Sequence, residues 1–127
     1  MSHHYVVRPK VDKTCSEEKI RYYAIPVTTG QITTEKLAEY ISDRCSLTAG
    51  DVLAAVSALS ELIREQLDCG YTVNLHNLGT FFISAGSEGF DSPEKCTPHH
   101  VKAQRVCFKA DPCLRKSLKL MKFSRKN

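Results

Sequence analysis

The chain has 127 residues, of which 42% are hydrophobic and 25% charged, a composition that suits one folded domain and excludes a disordered segment. The net charge is only +4, but residues 24–85 carry three basic and seven acidic side chains, whereas residues 109–127 carry seven basic and one acidic. The start of the chain lacks the apolar core of a secretion signal, and no stretch has the composition of a membrane span. We therefore expect a cytoplasmic protein whose basic end contacts a polyanion; a solvated basic tail is the alternative.

Residues 1–30 predict an N-terminal β extension. The segments His4–Val11 and Arg21–Val27 are rich in β-branched and aromatic side chains. Pro26 is typical of an edge strand or a bulge, because proline cannot donate a ladder hydrogen bond. The polar residues 12–19 would connect the two strands.

Two amphipathic helices are predicted next. The first begins near Thr33 or Thr34, where a threonine side chain can cap free amides. The second begins at Thr48, which together with Asp51 resembles a capping box, and it ends at Gly70. The apolar stripe of the first helix consists of Leu37, Ala38, Ile41 and Cys45. The main stripe of the second helix consists of Val52, Val56, Leu59, Ile63 and Leu67.

The second helix is apolar around most of its circumference. Beyond its main stripe it carries Leu53, Ala55, Ala58 and Leu62. A helix of this kind is buried from two sides. The first helix can cover one side and a second copy of the chain the other, so the pattern predicts a homodimer. An ordinary monomeric core is the alternative.

A β-hairpin and a further strand are predicted after the helices. Residues 71–75 alternate apolar and polar side chains, residues 77–79 supply a turn, and residues 80–85 form the return strand. Residues 86–100 are rich in turn-forming residues and predict a projecting loop or a loose β-arm. Residues 101–109 then return as a strand. Alternation along that strand separates Val106 and Phe108 from the opposite side, which carries Val101, Ala103, Arg105, Cys107 and Lys109.

A short last helix is predicted near the end of the chain. Asp111 is a suitable cap and Pro112 suits the first helical position. An apolar seam supports this helix and consists of Leu114, Leu118 and Met121. Residues 122–127 predict a frayed strand or a tail.

The cysteines and histidines give no strong sign of a metal or catalytic site. Cys45 and Cys69 fall at apolar positions of the helix patterns and predict buried, reduced thiols. Cys96 and His99, followed by His100, have a spacing compatible with zinc, but a second spaced pair is missing, so we expect no metal. Phosphate-loop, nucleophile-elbow and paired-carboxylate patterns are also missing. We therefore expect neither an enzyme, nor a cofactor, nor a small-molecule substrate.

The order of these elements resembles the histone-like HU/IHF proteins. The residues that carry the resemblance are TTEKLAEYIS, LTAGDVLAAVSALSELIREQLDCGYTVNLHNLGTFFIS and VCFKADPCLRKSL. It covers residues 31–85 and 101–120, and residues 1–30 look like the extension of a longer HU-related branch. The resemblance implies an α+β, intertwined homodimer with a helical base and a β-sheet saddle. Residues 31–127 would form the HU-like domain, and residues 84–106 a β-arm that grips the DNA minor groove.

The resemblance also implies which residues fill the dimer core. Three of them match family positions in the hairpin and the strand after the arm, and three belong to the main stripe of the second helix. The predicted dimer core consists of Leu78, Phe81, Phe108, Val56, Leu59 and Ile63.

The arm departs from the family pattern. The family has several arginines on the strand leading into the arm, where this chain has Ser84, Gly86 and Gly89. The family's tip proline wedges between bases, and Pro93 is the candidate here. The neighbouring Asp91 and Glu94, however, would repel phosphate, so a plain loop proline is the alternative.

Basic side chains of the arm, the returning strand and the last helix are the predicted DNA contacts. They are Lys95, Lys102, Arg105, Lys109, Arg115, Lys116 and Lys119. They would neutralise phosphates without reading bases, which predicts salt-sensitive, sequence-tolerant binding of double-stranded DNA. The resemblance implies that such a protein is a nucleoid-associated architectural protein. The alternative is a dimeric scaffold protein of the same fold that has lost strong DNA binding. Should these residues not bind DNA, the fallback site is Arg8, Lys10 and Lys13.

Overall fold

The computed structural model describes residues 2–13 and 18–126 and has an α+β fold. Most of the predicted connection between the first two strands, residues 14–17 with Cys15, lies outside the described residues. The strands and helices in chain order are β1 (Ser2–Asp12), β2 (Lys19–Val27), α1 (Thr34–Arg44), α2 (Ala49–Asp68), β3 (Val73–Leu75), β4 (Gly79–Gly86), β5 (Lys102–Ala110), α3 (Pro112–Arg115) and β6 (Lys122–Arg125).

Local capping fixes where both long helices begin. The Thr33 side chain accepts a hydrogen bond from the Lys36 amide, which starts α1 at Thr34. At the start of α2, Thr48 Oγ1 accepts from the Asp51 amide at 3.1 Å and Asp51 Oδ2 accepts from the Thr48 amide at 3.2 Å. The predicted capping box is therefore confirmed.

The cap at the end of α2 explains why the next strand begins later in the sequence than predicted. Gly70 has a φ of 92°, the left-handed conformation that suits glycine. The Tyr71 amide donates to the Gln66 carbonyl at 3.1 Å, and the Gly70 amide donates to the Leu67 carbonyl. These two bonds close the helix in the Schellman pattern. Because Tyr71 takes part in the cap, β3 begins at Val73 and not at residue 71 as predicted.

The predicted burial of two cysteines is wrong. Cys45 and Cys69 are exposed, because α1 ends at Arg44 and α2 ends at Asp68. Each cysteine is thus a cap residue beyond the last helical turn, where the apolar stripe no longer faces a neighbour. Both are free thiols.

Strands β3, β4 and β5 form one antiparallel sheet in that order. The turn between β3 and β4 places Asn77 at a φ of 63°, which asparagine tolerates. At Gly79 the neighbouring strand leaves no room for a side chain, since an added Cβ would lie 2.7 Å from Phe108 Cζ. Phe81 pairs with Phe108, and their rings lie 4.8 Å apart. The glycine followed by a packed phenylalanine is thus a structural requirement of this hairpin.

The second sheet joins the two ends of the chain. Its strand order is β2-β1-β6, with β1 antiparallel to β2 and parallel to β6. Residues 122–125 therefore form a paired strand, where the sequence predicted a frayed strand or a tail. The Lys126 amide extends the pairing by donating to the Tyr5 carbonyl at 2.8 Å.

Apolar burial within one chain is sparse. Among the described residues the buried apolar side chains are Ala38, Val52 and Leu67, and no large side chain is fully buried. Ala38 and Val52 belong to α1 and α2, which pack against each other. A structured domain of this size normally buries far more, so much of its apolar surface is open to a partner. Nowhere in residues 2–13 and 18–126 does a helix combine the length and apolarity needed to cross a membrane.

Candidate nucleic-acid interface

A β-bulge decides which side chains share a side of the β4–β5 ladder. Phe81 pairs with Phe108 and Ile83 with Val106, but the register shifts between Ser84 and Ala85. Beyond the shift Ala85 pairs with Ala103, and Gly86 pairs with Lys102. Residues that pair directly lie on the same side of a sheet.

The bulge therefore overturns part of the predicted alternation. Ala103 shares the apolar side with Phe81 and Ile83, and not the side of Arg105 as predicted. Lys102 moves the other way and joins Arg105 and Lys109. The sequence gives no sign of this shift, because the extra residue, Gln104, is an ordinary strand residue.

Three cations consequently occupy one side of the sheet. Lys102, Arg105 and Lys109 are exposed. Within the described residues none of the three has an ion-pair partner, so their charge is available. Ser84, opposite Arg105, has a buried hydroxyl without a hydrogen-bond partner among these residues. Sequence reasoning treated Ser84 only as a missing arginine and did not predict its burial.

Three more predicted cations follow β5, in a segment whose start is attached to the hairpin turn. The Asp111 amide donates to the Leu78 carbonyl at 2.8 Å, and Asp111 Oδ2 accepts from the Cys113 amide at 2.9 Å. This cap attaches the start of α3 to the turn between β3 and β4. Arg115 ends α3 and Lys116 follows it, while Lys119 lies in a 3-10 turn, Leu118–Leu120. The side chains of all three cations are exposed and lack carboxylate partners in the described parts of the chain.

Asp111 also sets the protonation of its neighbour. A hydrogen bond with the Asp111 side chain, helped by partial desolvation and by the carboxylate charge, raises the pKa of the Cys113 thiol. The thiol therefore stays protonated to a higher pH than a free cysteine, which lowers its reactivity.

The segment predicted as the arm is a loop in its outer part. Strand pairing reaches Gly86 and Lys102, and residues 87–101 between them contain two 3-10 turns, Pro93–Lys95 and Pro98–His100. The candidate wedge, Pro93, is exposed at the start of the first turn, near the middle of the loop.

As far as the described residues show, Lys95 is the predicted DNA contact that has a carboxylate partner. Its Nζ lies 3.9 Å from Asp91 Oδ2, and both side chains are largely exposed. An exposed pair of this kind contributes little to stability, but it reduces the charge that Lys95 presents to a phosphate.

Cys96 and His100 of this loop contact different residues. Cys96 Sγ contacts Ser87 Oγ at 3.7 Å. His100 Nδ1 lies 3.0 Å from Thr97 Oγ1, and its ring packs edge-on against Phe90 at 4.7 Å. The described residues contain no cluster of three potential metal ligands. The loop is held by local contacts of this kind.

An open apolar groove lies between α2 and the apolar side of the sheet. Its volume is about 640 Å³. Four predicted dimer-core residues line it, namely Val56, Leu59, Ile63 and Phe81. The other two, Leu78 and Phe108, lie outside it and are each 46% exposed. Its wall also contains Ile83, Ala103 and Val106, which sequence reasoning missed, although strand alternation could have indicated Ile83 and Val106. Charged residues border the groove as well, namely Arg64, Asp68 and Arg105.

Comparison with known proteins identifies the fold and the family. The family model described as "HU domain fused to wHTH, Ig, or Glycine-rich motif" (HU-HIG) matches residues 1–125. A crystal structure from Bacteroides vulgatus ATCC 8482, provisionally described as that of a bacterial DNA-binding protein, is similar with a TM-score of 0.60 and 15% identity. The match covers 94% of this chain but only 47% of that one. No curated protein matches the chain. Because the family model spans nearly the whole sequence, the chain belongs to the HU-HIG family of HU-like proteins.

Proposed function

We propose that this protein binds double-stranded DNA with little sequence preference and acts as an architectural protein of the nucleoid. The observation that carries the proposal is the common side of the sheet shared by Lys102, Arg105 and Lys109. Together with Arg115, Lys116 and Lys119 they belong to a basic segment, residues 102–119, that contains a single acidic residue, Asp111. Catalysis forms no part of the proposal.

The chemistry of these residues favours phosphate contacts. Lysine and arginine release condensed counterions when they neutralise phosphates, so the affinity falls as salt rises. In the described parts of the chain, the two long helices carry an excess of acidic residues, which is unfavourable for a helix that reads the major groove. Binding therefore depends on the phosphate backbone and tolerates many sequences.

The active form in this proposal is a homodimer. The groove beside α2 is lined by apolar side chains that remain open in one chain, among them Val56, at 42% exposed, and Leu59, at 37%. A second copy would bury these side chains and bring two sets of basic residues to one saddle. The loops at residues 87–101 would then extend from the two sides as arms. Insertion of Pro93 between base steps is the finer part of this hypothesis.

Two features favour a scaffold protein as a second candidate. The arm carries Ser84, Gly86 and Gly89 where DNA-bending relatives carry arginines, and Lys95 has an acidic neighbour. A scaffold protein would still form the dimer but would not bind DNA strongly. Absence of any shift of a random-sequence duplex at low salt, with an intact dimer, would favour this candidate.

Titration of a random-sequence duplex at several salt concentrations tests the DNA-binding proposal. We expect a steep salt dependence for the unmodified protein. Neutralising two cations with R105Q/K109Q should make the salt dependence weaker. The negative slope of log K against log salt should decrease in magnitude by about 1.8 for each chain that contacts the DNA, at about 0.9 per lost phosphate contact.

The matched control removes two cations from the acidic helix α1. K36Q/R44Q has the same change in net charge, and both residues lie outside the basic side of the sheet. Its slope should stay close to that of the unmodified protein. A flat salt response of the unmodified protein, or equal slopes for both variants, would contradict the phosphate mechanism at this site.

A further inference from the structure

The outer edge of β2 is open. Strand β2 has nine residues and pairs with β1 along its whole length without a register shift. In the part of the chain that the structure describes, no strand pairs with the other edge of β2, because the sheet has the order β2-β1-β6. Alternate backbone N–H and C=O groups of β2 therefore point away from β1 and towards this open edge.

The composition of β2 favours pairing at this edge. Edge strands are normally protected by short length, bulges, charged side chains or proline. Residues 20–25 contain one charged side chain, Arg21, and neither a proline nor a bulge interrupts them. Tyr22 is 70% exposed and Tyr23 is 45% exposed. A strand of this length and composition offers its open edge for the addition of another strand.

We propose that the open edge of β2 pairs with the β2 strand of a second copy of this chain. The two strands run antiparallel, with Tyr23 opposite the partner subunit's Tyr23 on a two-fold axis. This contact is separate from the groove beside α2, so it would join one dimer to the next. Its consequence for DNA rests on the proposed function, because it would link dimers that share a duplex.

The length and charge of β2 define the register of this contact. Tyr23 is the middle residue of Lys19–Val27, so an axis at Tyr23 gives every residue of the strand a partner. A shifted two-fold register would pair fewer residues. With the axis at Tyr23, Lys19 lies opposite Val27 and Arg21 lies opposite Ile25. Each cation of the strand thus faces an apolar side chain of the second copy.

The two sides of the sheet also match across this axis. Tyr5 pairs with Pro26, and Tyr5, Ala24, Pro26 and Phe123 line a small pocket on one side of the sheet. Tyr22 lies on the same side, because side chains alternate along a strand. A two-fold axis perpendicular to the sheet leaves this side facing the same way in both copies. Pairing would therefore extend one apolar side across both sheets.

The size of the contact sets its strength. It uses nine residues from each copy, whereas a standard protein interface uses about 20–30 residues a side. We therefore expect it to stay open in dilute solution. It should form where one duplex holds several dimers, because binding to the same DNA raises their effective concentration. The expected result is cooperative binding along a long duplex.

A cysteine on the proposed axis tests the contact without DNA. Residues directly opposite each other in an antiparallel pair have Cα atoms about 4.5–5.5 Å apart, which a disulfide can bridge. Tyr23→Cys, oxidised at high protein concentration, should give two disulfide-linked copies of the peptide that contains position 23. Peptide mass spectrometry identifies this product beside any products of the native cysteines.

Tyr22→Cys is the matched control. Position 22 would lie opposite Ala24, so the two copies of position 22 are diagonal neighbours, about 7–8 Å apart and too far for a disulfide. This variant should not give the linked peptide. Linkage at position 22 in place of position 23 would overturn the register. A bond from position 23 to a native cysteine, or no bond there in a normally folded protein, would overturn the contact.

A second pair of variants tests the consequence for DNA. Tyr23→Glu would place two carboxylates opposite each other on the axis, whereas within one chain the new carboxylate faces Arg8, which suits the β1–β2 pair. Tyr40→Glu makes the same change of charge on α1, where Tyr40 is 47% exposed. On a long random-sequence duplex, Tyr23→Glu should lose cooperativity and Tyr40→Glu should keep it. On a duplex with room for one dimer, the two affinities should match.

The two experiments distinguish failure of this contact from failure of the proposed function. If the unmodified protein does not bind DNA, the proposed function fails, and the linkage at position 23 still decides whether β2 pairs with β2. If DNA binding is normal but Tyr23→Glu is as cooperative as Tyr40→Glu, the proposed function stands and the joining of dimers through β2 is overturned.

Discussion

The two three-stranded sheets of this protein differ in what supports them. The sheet β3-β4-β5 has α2 beside its apolar side, whereas neither long helix packs extensively against the sheet β2-β1-β6. The buried apolar residues of the described chain all belong to α1 and α2. The first sheet thus shares an incomplete core with the helices, and the second depends mainly on backbone pairing between the chain ends.

This difference indicates two kinds of stability in one chain. The stability of the helical part should change with apolar packing and should increase when a second copy closes the groove. The stability of the sheet β2-β1-β6, here called the terminal sheet, should change with strand pairing. Each of the following predictions would sharpen or break that division.

The largest effect should follow from a charge in the groove. Leu59→Glu places a carboxylate among the apolar side chains that line it, and a second copy would bury that charge. We expect loss of about 3–5 kcal/mol of stability and loss of assembly and DNA binding. Ala54→Glu, on the opposite face of α2, should melt like the unmodified protein. Equal melting of the two variants would show that the groove stays open to water.

A similar but smaller effect is expected at the hairpin glycine. Gly79→Ala introduces a Cβ that would lie within 3 Å of the Phe108 ring and against the β5 backbone. We expect destabilisation of about 2 kcal/mol or more, measured by urea unfolding. Gly89→Ala is the control, because no atom lies within 4 Å of its added Cβ. A stable Gly79→Ala protein would mean that β4 and β5 are less closely paired.

Truncation after Met121 should affect the terminal sheet alone. It removes β6 and leaves one edge of β1 unpaired. We expect faster hydrogen exchange at the β1 amides that β6 protects, with little change in the exchange of α2. Faster exchange throughout α2 would contradict the separation of the two regions.

The smallest effect should be chemical. Asp111 raises the pKa of the Cys113 thiol, so Asp111→Asn should lower it and increase the thiolate fraction at mildly alkaline pH. Alkylation of Cys113, followed by peptide mass spectrometry, should become faster. The Cys69 rate within the same sample is the internal control. An unchanged ratio of the two rates would exclude this role of Asp111.

Local rules in the sequence predicted the helical part well. The Thr48–Asp51 capping box, the glycine end of α2 and the Asp111 cap depend on neighbours within a few residues, and all three are confirmed. Burial of Cys45 and Cys69 was predicted incorrectly, because the helical periodicity of apolar residues does not reveal that each helix ends just before the cysteine.

Pairing between distant segments could not be predicted in this way. The parallel pairing of β1 with β6 joins residues about 120 positions apart, and no local pattern indicates it. The bulge beside Ser84 is also set by the register of two strands. It decides that Lys102 lies with Arg105 and Lys109. The sequence predicted these cations as DNA contacts, but only the register gives them a common side.

Light scattering on the purified protein at micromolar concentration tests the central claim most directly. If a second copy closes the groove beside α2, the folded protein should have the mass of two chains, and the mass should fall only as the protein unfolds. A stable, folded single chain at that concentration would contradict the account, because the open apolar side chains would then need no partner.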